Sequence, residues 1–192
     1  MMTQKNSNMI NMNPSNIIIN FLVKSFGLKT YEEIQNTFNK VDVSSDKKFQ
    51  KEFNGFYRVR RDLNWRKCYY DLFEEVKKDH SKQNFAYILT SIYQKTNRFE
   101  PSFSSKMLAT LNPNCPIWDQ YVLKNTGTKA PSVNCKNINS FVKTYKDIED
   151  WYTAYLKTPN GKNCIMVFDK KFPNYNNIND VKKIDFILWA KR

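Results

Sequence analysis

A single histidine, four glycines and the absence of any Cys-x-x-Cys pair leave this 192-residue chain little material for several common chemistries. His80 alone cannot build a zinc-ligand set or the imidazole-dependent nucleophile pairs of hydrolases. Cys68, Cys115, Cys135 and Cys164 are widely scattered, so metal-ligand spacing is absent and neither metal nor cofactor is expected. No apolar run reaches about 18 residues and no cleavable signal pattern is present, so the expectation is a cytoplasmic protein with reduced thiols, away from membranes. Four glycines and seven prolines suit helices with short connections and argue against a turn-rich β fold. Acidic residues are scarce as well. Lys and Arg number 31 against 18 Asp and Glu, a net charge of +13 with a pI near 9.5. Such a field attracts polyanions, which makes nucleic acid the first partner to expect, double-stranded DNA foremost. A lysine-rich surface encoded by an A·T-rich genome accounts for the same balance.

What is abundant is apolar and aromatic: 41% hydrophobic residues and 15% aromatics supply a core. Apolar residues at 17, 18, 21, 22 and 26 mark a helix over residues 15–26 that Gly27 stops. Thr30-x-x-Glu33 reads as a capping box opening a helix to about Val41. Phe49, Phe53 and Tyr57 mark the next, over residues 46–57. Trp65, Cys68, Tyr69, Leu72, Phe73 and Val76 form the clearest amphipathic stripe, and Phe85, Ile88, Leu89, Ile92 and Tyr93 repeat it. Phe141, Tyr145, Ile148, Tyr152 and Tyr155 line a long helix. Segments 163–172 and 179–189 complete the set, although Cys164 to Phe168 reads equally as a short strand. The sum is one all-α domain over residues 14–192, preceded by a flexible polar tail at 1–13.

The segment from Ser102 to Val122, SFSSKMLATLNPNCPIWDQYV, carries the clearest chemistry. A short helix over 104–111 runs into Asn112-Pro113-Asn114, and Pro116-Ile117-Trp118-Asp119 opens the next helix. Asp119 thus stands at a helix N-terminus, where free N–H groups and the dipole favour an anion. An isolated Asp there is also an ordinary cap. The segment as a whole resembles the helix-turn-Asp element of the helix-hairpin-helix base-excision DNA glycosylases. In adenine-mismatch members of that family a helix leads through a loop to Pro-Ile-Leu-Asp and a further helix. The resemblance covers about 20 residues. It implies an all-helical fold, DNA as partner, Asp119 as catalytic carboxylate, and Trp118 with Ser102 near the base pocket. Trp118 as a core residue is the alternative.

Three departures from the family pattern shape the expectation. The Gly-x-Gly hairpin that grips a phosphate is replaced by Asn97-Arg98-Phe99-Glu100-Pro101. The lysine of bifunctional members falls near Ser102, with Lys106 one turn further on as the other candidate amine. No cysteine cluster follows, so the iron–sulfur cluster of some members is absent. The implied reaction is monofunctional base removal using water, with Lys106 unperturbed because Ser104, Ser105 and Thr110 make its helix partly polar.

Two basic sets lie outside this segment. Arg58, Arg60, Arg61, Arg66 and Lys67 surround Tyr57 and Trp65, and guanidinium forks match phosphate geometry. A solvated helix end explains the same residues. Lys124, Lys129 and Lys136 follow the Asp119 helix. Glu100 is a surface residue or a second acid, and Lys182 and Lys183 are expected to face water from a C-terminal packing helix. Asp185, among apolar neighbours, is expected to pair with a buried base.

Overall fold

Asp46, Asp62, Asn84 and Thr158 each turn a side-chain oxygen onto a free backbone N–H, at 2.7–3.0 Å, and so set where four helices begin. The structure, a computed structural model, describes residues 26–132 and 134–190. Among these, the elements are α1 (Phe26–Phe38), α2 (Lys47–Tyr57), α3 (Leu63–Lys78), α4 (Phe85–Thr96) and α5 (Pro101–Leu111), then α6 (Gln120–Thr126), α7 (Ile138–Tyr155), α8 (Pro159–Lys171) and α9 (Asp180–Ala190). Single 3-10 turns at His80–Lys82 and Pro173–Tyr175 join them. No strand occurs among the described residues, and the chain is all-α.

The tail at 1–13 and the helix expected over 15–26 lie outside the described residues, except for Phe26. Among the described residues Gly27 lies inside α1, continuous with Phe26, and Thr30 is a helix-interior residue instead of a cap. Leu28, Tyr31, Ile34 and Phe38 form one buried stripe. Burying Leu28 outweighs the cost of about 1 kcal/mol for a helical glycine. Cys164 to Phe168 is helical: Thr158 caps α8 and Pro159 occupies its first turn, four residues before the expected start. The connection from α7 is tight. A Cβ on Gly161 would overlap the Tyr155 carbonyl oxygen, so only glycine lets the two helix ends approach.

Helix α1 packs on α2, α3 on α4, and α4 on both α5 and α7, while α9 lies against α8 and α6. The core is contiguous and aromatic. Phe38, Phe49, Phe53 and Phe73 pack with ring centroids 5.4–6.3 Å apart, which joins the α1/α2 pair to α3. Glu74, buried on α3, accepts from the Val43 N–H at 2.9 Å and pairs with Lys77 at 2.9 Å. That carboxylate fastens the α1–α2 loop. At the other end, Phe85 stacks on Tyr145 at 4.0 Å, and Tyr31 meets Phe186 edge-on at 5.7 Å. Trp118 of the α5–α6 segment packs against the first of these groups, 6.2 Å from Phe85.

Candidate active site

Side chains from the turn itself, from α5, α7 and α9, and from Asn179 lock the stretch between α5 and Asp119. Asn112 accepts from the Asn114 N–H at 3.0 Å, closing the Asn-Pro-Asn turn, and Asn114 accepts from the Asn179 amide ahead of α9. Tyr145 donates its hydroxyl to the Pro116 carbonyl at 2.8 Å. The Ile117 N–H is hydrogen-bonded to the Asp185 carboxylate, and the Trp118 N–H donates to Ser105 Oγ at 2.7 Å. Pro116, Ile117 and Trp118 are buried. Each of these backbone groups therefore has a partner, as burial requires. The chain emerges at Asp119, half-buried, whose carboxylate accepts from the Tyr121 N–H at 2.7 Å and caps α6.

Lys106 departs from its sequence expectation. It is 7% exposed, and burial depresses its pKa to about 8. Asp119 and Glu100 oppose that shift, while the cations Lys182 and Arg58 reinforce it. The neighbouring hydroxyls do not make the helix polar because each is turned onto backbone. Ser104 donates to the Glu100 carbonyl, Ser105 to that of Ser102, and Thr110 to that of Lys106, at 2.9–3.0 Å. The ammonium is left with the Tyr57 carbonyl at 3.4 Å and the rings of Phe103 and Tyr57 at 5.2 and 5.9 Å.

Behind Lys106 lies a second buried lysine. Lys182, 2% exposed, sits over the rings of Tyr31, Tyr57, Phe186 and Trp189 at 5.1–5.6 Å and pairs with Asp185 at 3.3 Å. Tyr152 donates to the same Asp185 at 2.5 Å. Burial depresses the Lys182 pKa, but facing Tyr57, Asp185 and Tyr31 overcome it and hold it raised. Lys183, 3% exposed, pairs with Asp169 at 2.8 Å. The expectation that both lysines face water is corrected: α9 is covered by α6 and α8, so its lysines reach carboxylates instead. The pairing expected of Asp185 is present.

The other sequence-marked residues divide. Arg58, exposed, caps α2 in the left-handed conformation (φ 55°, ψ 47°) and lies within electrostatic reach of Lys106. Arg60 is exposed. Arg61 is engaged by Glu100 at 2.8 Å and packs over Phe103 and Trp65. Glu100 is 7% exposed, which corrects its reading as a surface acid. Arg66 and Lys67 belong to α3 and line a different region, while Lys124, Lys129 and Lys136 are exposed along and after α6. Trp118 is a core residue, 5% exposed, between Phe85 and Phe141 with centroids 6.2 and 6.3 Å away. Ser102 is half-buried in the first turn of α5. Sequence reasoning missed Ser105, Tyr145 and Tyr152, whose polar tips on otherwise apolar helix faces were the available signal.

Among the described residues no group of three His, Cys, Asp or Glu side chains could hold a metal ion. No helix there is long and apolar enough to cross a membrane. No family model, curated protein or solved structure matches the chain.

Proposed function

We propose that the chain removes a modified or damaged base from DNA, an N-glycosylase reaction with Asp119 as the carboxylate that stabilises the sugar cation. The single observation that supports this most is that buried Lys106 feels the charges of both Asp119 and Arg58. These are an anion on a rigid loop end, an amine of lowered pKa and an exposed arginine suited to phosphate. In the reaction the base–sugar C–N bond breaks, the base leaves with the electron pair, and water adds at the anomeric carbon. A fixed carboxylate lowers the energy of the oxocarbenium-like state between those events. The depressed pKa of Lys106 also supplies what an amine nucleophile requires.

The test is strand cleavage at abasic products, using oligonucleotides that carry uracil, 8-oxoguanine, alkylated or hypermodified bases. Asp119→Asn should abolish turnover and leave binding intact. Equal activity in wild type and variant removes Asp119 from the chemistry. Borohydride trapping assigns Lys106: an adduct lost in Lys106→Met makes the enzyme bifunctional, and no adduct leaves hydrolysis by water.

A second reading, non-catalytic nucleic-acid binding, is favoured by two observations. One carboxylate oxygen of Asp119 is already engaged by the α6 cap. Among the described residues, two clefts of about 400 and 540 Å³ are lined by residues other than Asp119 and Lys106. Salt-sensitive binding without product on any substrate would establish it.

A further inference from the structure

We propose that the furrow between α2 and α3 binds a single strand of nucleic acid through its phosphates, at a site separate from Asp119. The inference rests on the nucleic-acid half of the proposed function and not on its catalytic half. The furrow encloses about 540 Å³. Lys47 and Lys51, one helical turn apart on α2, line it together with Arg66 and Lys67 of α3. Among the described residues only one carboxylate, Asp71, lines it, and Lys67 already pairs with that group at 2.6 Å. Among the described residues Lys47, Lys51 and Arg66 have no carboxylate partner.

Two further features point to a ligand. The Nε of Arg66 is buried without a hydrogen-bond acceptor. A donor in that position normally has a partner, and a phosphate oxygen in the furrow would provide one once the half-buried Arg66 side chain turns outward. Leu63, 75% exposed, lines the furrow beside these cations. An apolar side chain next to phosphate-binding groups suits the face of an unpaired base. The walls are also pre-formed. Gln50 donates from one amide nitrogen to the Val43 and Ser44 carbonyls, both at 2.9 Å, and Tyr70 donates to Asn54 at 2.8 Å. With the polar floor satisfied internally and Lys47 held only by a long hydrogen bond to Gln50 Oε1 at 3.4 Å, the charges of Lys47, Lys51 and Arg66 are what remains for a ligand. A cleft of about 540 Å³ is far smaller than a duplex, so only a single strand can seat a base inside it. A duplex would ride on its rims and could not place a base against Leu63.

The experiment measures fluorescence anisotropy of an undamaged single-stranded oligonucleotide over a range of salt, using full-length chain carrying Asp119→Asn. Lys47→Gln/Lys51→Gln/Arg66→Gln should weaken binding at least tenfold near 0.1 M salt. Its slope of log affinity against log salt should fall by about 2, at about 0.7 for each single-strand phosphate no longer neutralised. The double variant Lys47→Gln/Lys51→Gln alters only exposed residues and should lower the slope by about 1.4. Lys143→Gln/Lys146→Gln/Lys157→Gln removes the same charge elsewhere and should change the slope by less than half as much. Leu63→Ser should weaken binding several-fold at constant slope. The proposal is overturned if the control variant weakens binding as much as the furrow variant, or if the slope stays unchanged. It is equally overturned if duplex affinity falls as far as single-strand affinity. Competition with inorganic phosphate and a mononucleotide separates sources of the anion: a mononucleotide that binds as tightly as the strand overturns the strand assignment. Failure to turn over any base leaves these outcomes untouched.

Discussion

Lys106 shows how far one buried cation can bias both stability and reactivity. Its folded pKa of about 8 lies below the ordinary lysine value of 10.5, so between those values the unfolded chain binds more protons than the folded one. Stability from this residue therefore rises with pH through that window, and below pH 8 the folded state bears the full cost of the buried charge. Tyr31, raised to about 12 chiefly by burial, contributes oppositely once unfolded tyrosine ionises near pH 10, and Cys115, raised to about 11 by burial, does so already from about pH 9. The Lys106 share is therefore read between pH 8 and 10 as the difference between wild type and Lys106→Met. Denaturant unfolding should show a gain of about 2–3 kcal/mol from Lys106 over those two units, at 1.36 kcal/mol per unit. Lys106→Met should flatten that slope and be the more stable protein at pH 7. A slope that survives the substitution would place the titration on another group. If Lys106 is also the nucleophile, turnover should climb through pH 8 as the amine loses its proton.

At the scale of elements, the connection from α5 to α6 is rigid because its buried backbone groups are satisfied by side chains from α5, α7 and α9. Tyr145 on α7 holds Pro116, Asp185 on α9 holds Ile117, and Ser105 on α5 holds Trp118. Removing one of these leaves a buried N–H or C=O without water or partner. Ser105→Ala should thus cost about 1–3 kcal/mol. It should also reduce any Asp119-dependent turnover more than it reduces nucleic-acid affinity, because the carboxylate loses its fixed mount while the exposed cations do not move. Equal stability of wild type and variant in urea would mean that the Trp118 N–H finds another acceptor. The same segment explains why Trp118 is a strut: its ring sits between Phe85 and Phe141 and sets the level at which Asp119 emerges.

For the whole molecule, a net charge of +13 is distributed unevenly between surface and interior. Lys106, Lys182 and Lys183 are buried, and Arg61 is held by Glu100, so these four add little to the attraction of a polyanion. Arg58 and Arg60 remain exposed, and Arg58 lies within electrostatic reach of Lys106. Replacing both with Gln should lower the salt slope of duplex binding by about 0.9 for each phosphate no longer neutralised, with the unfolding midpoint little changed. Arg61→Gln should do the reverse. It strands the buried Glu100 carboxylate, so stability falls by about 3 kcal/mol while the salt slope holds. Arg61→Gln that leaves stability intact and lowers the slope would restore Arg61 to the binding surface.

Local pattern alone determined most of the helices. The stripes through Trp65 to Val76 and Phe141 to Tyr155, and the stop at Asn112-Pro113, depend on residues within a turn or two of one another, and windows of that length report them. The same holds for the basic balance and for Asp119 at the N-terminus of α6. Helix starts were less legible where tertiary burial outweighed local signals, as when Leu28 drew α1 back past Gly27 and the apparent capping box. What only the tertiary structure decided was the state of the charges. Lys106 meets the Tyr57 carbonyl across 49 positions, Arg61 meets Glu100 across 39, and Tyr152 meets Asp185 across 33. Whether a lysine is solvated or buried, and whether an arginine is free or paired, depends on dielectric and on partners brought together by helix packing. No stretch of sequence short enough to read locally contains both members of those pairs.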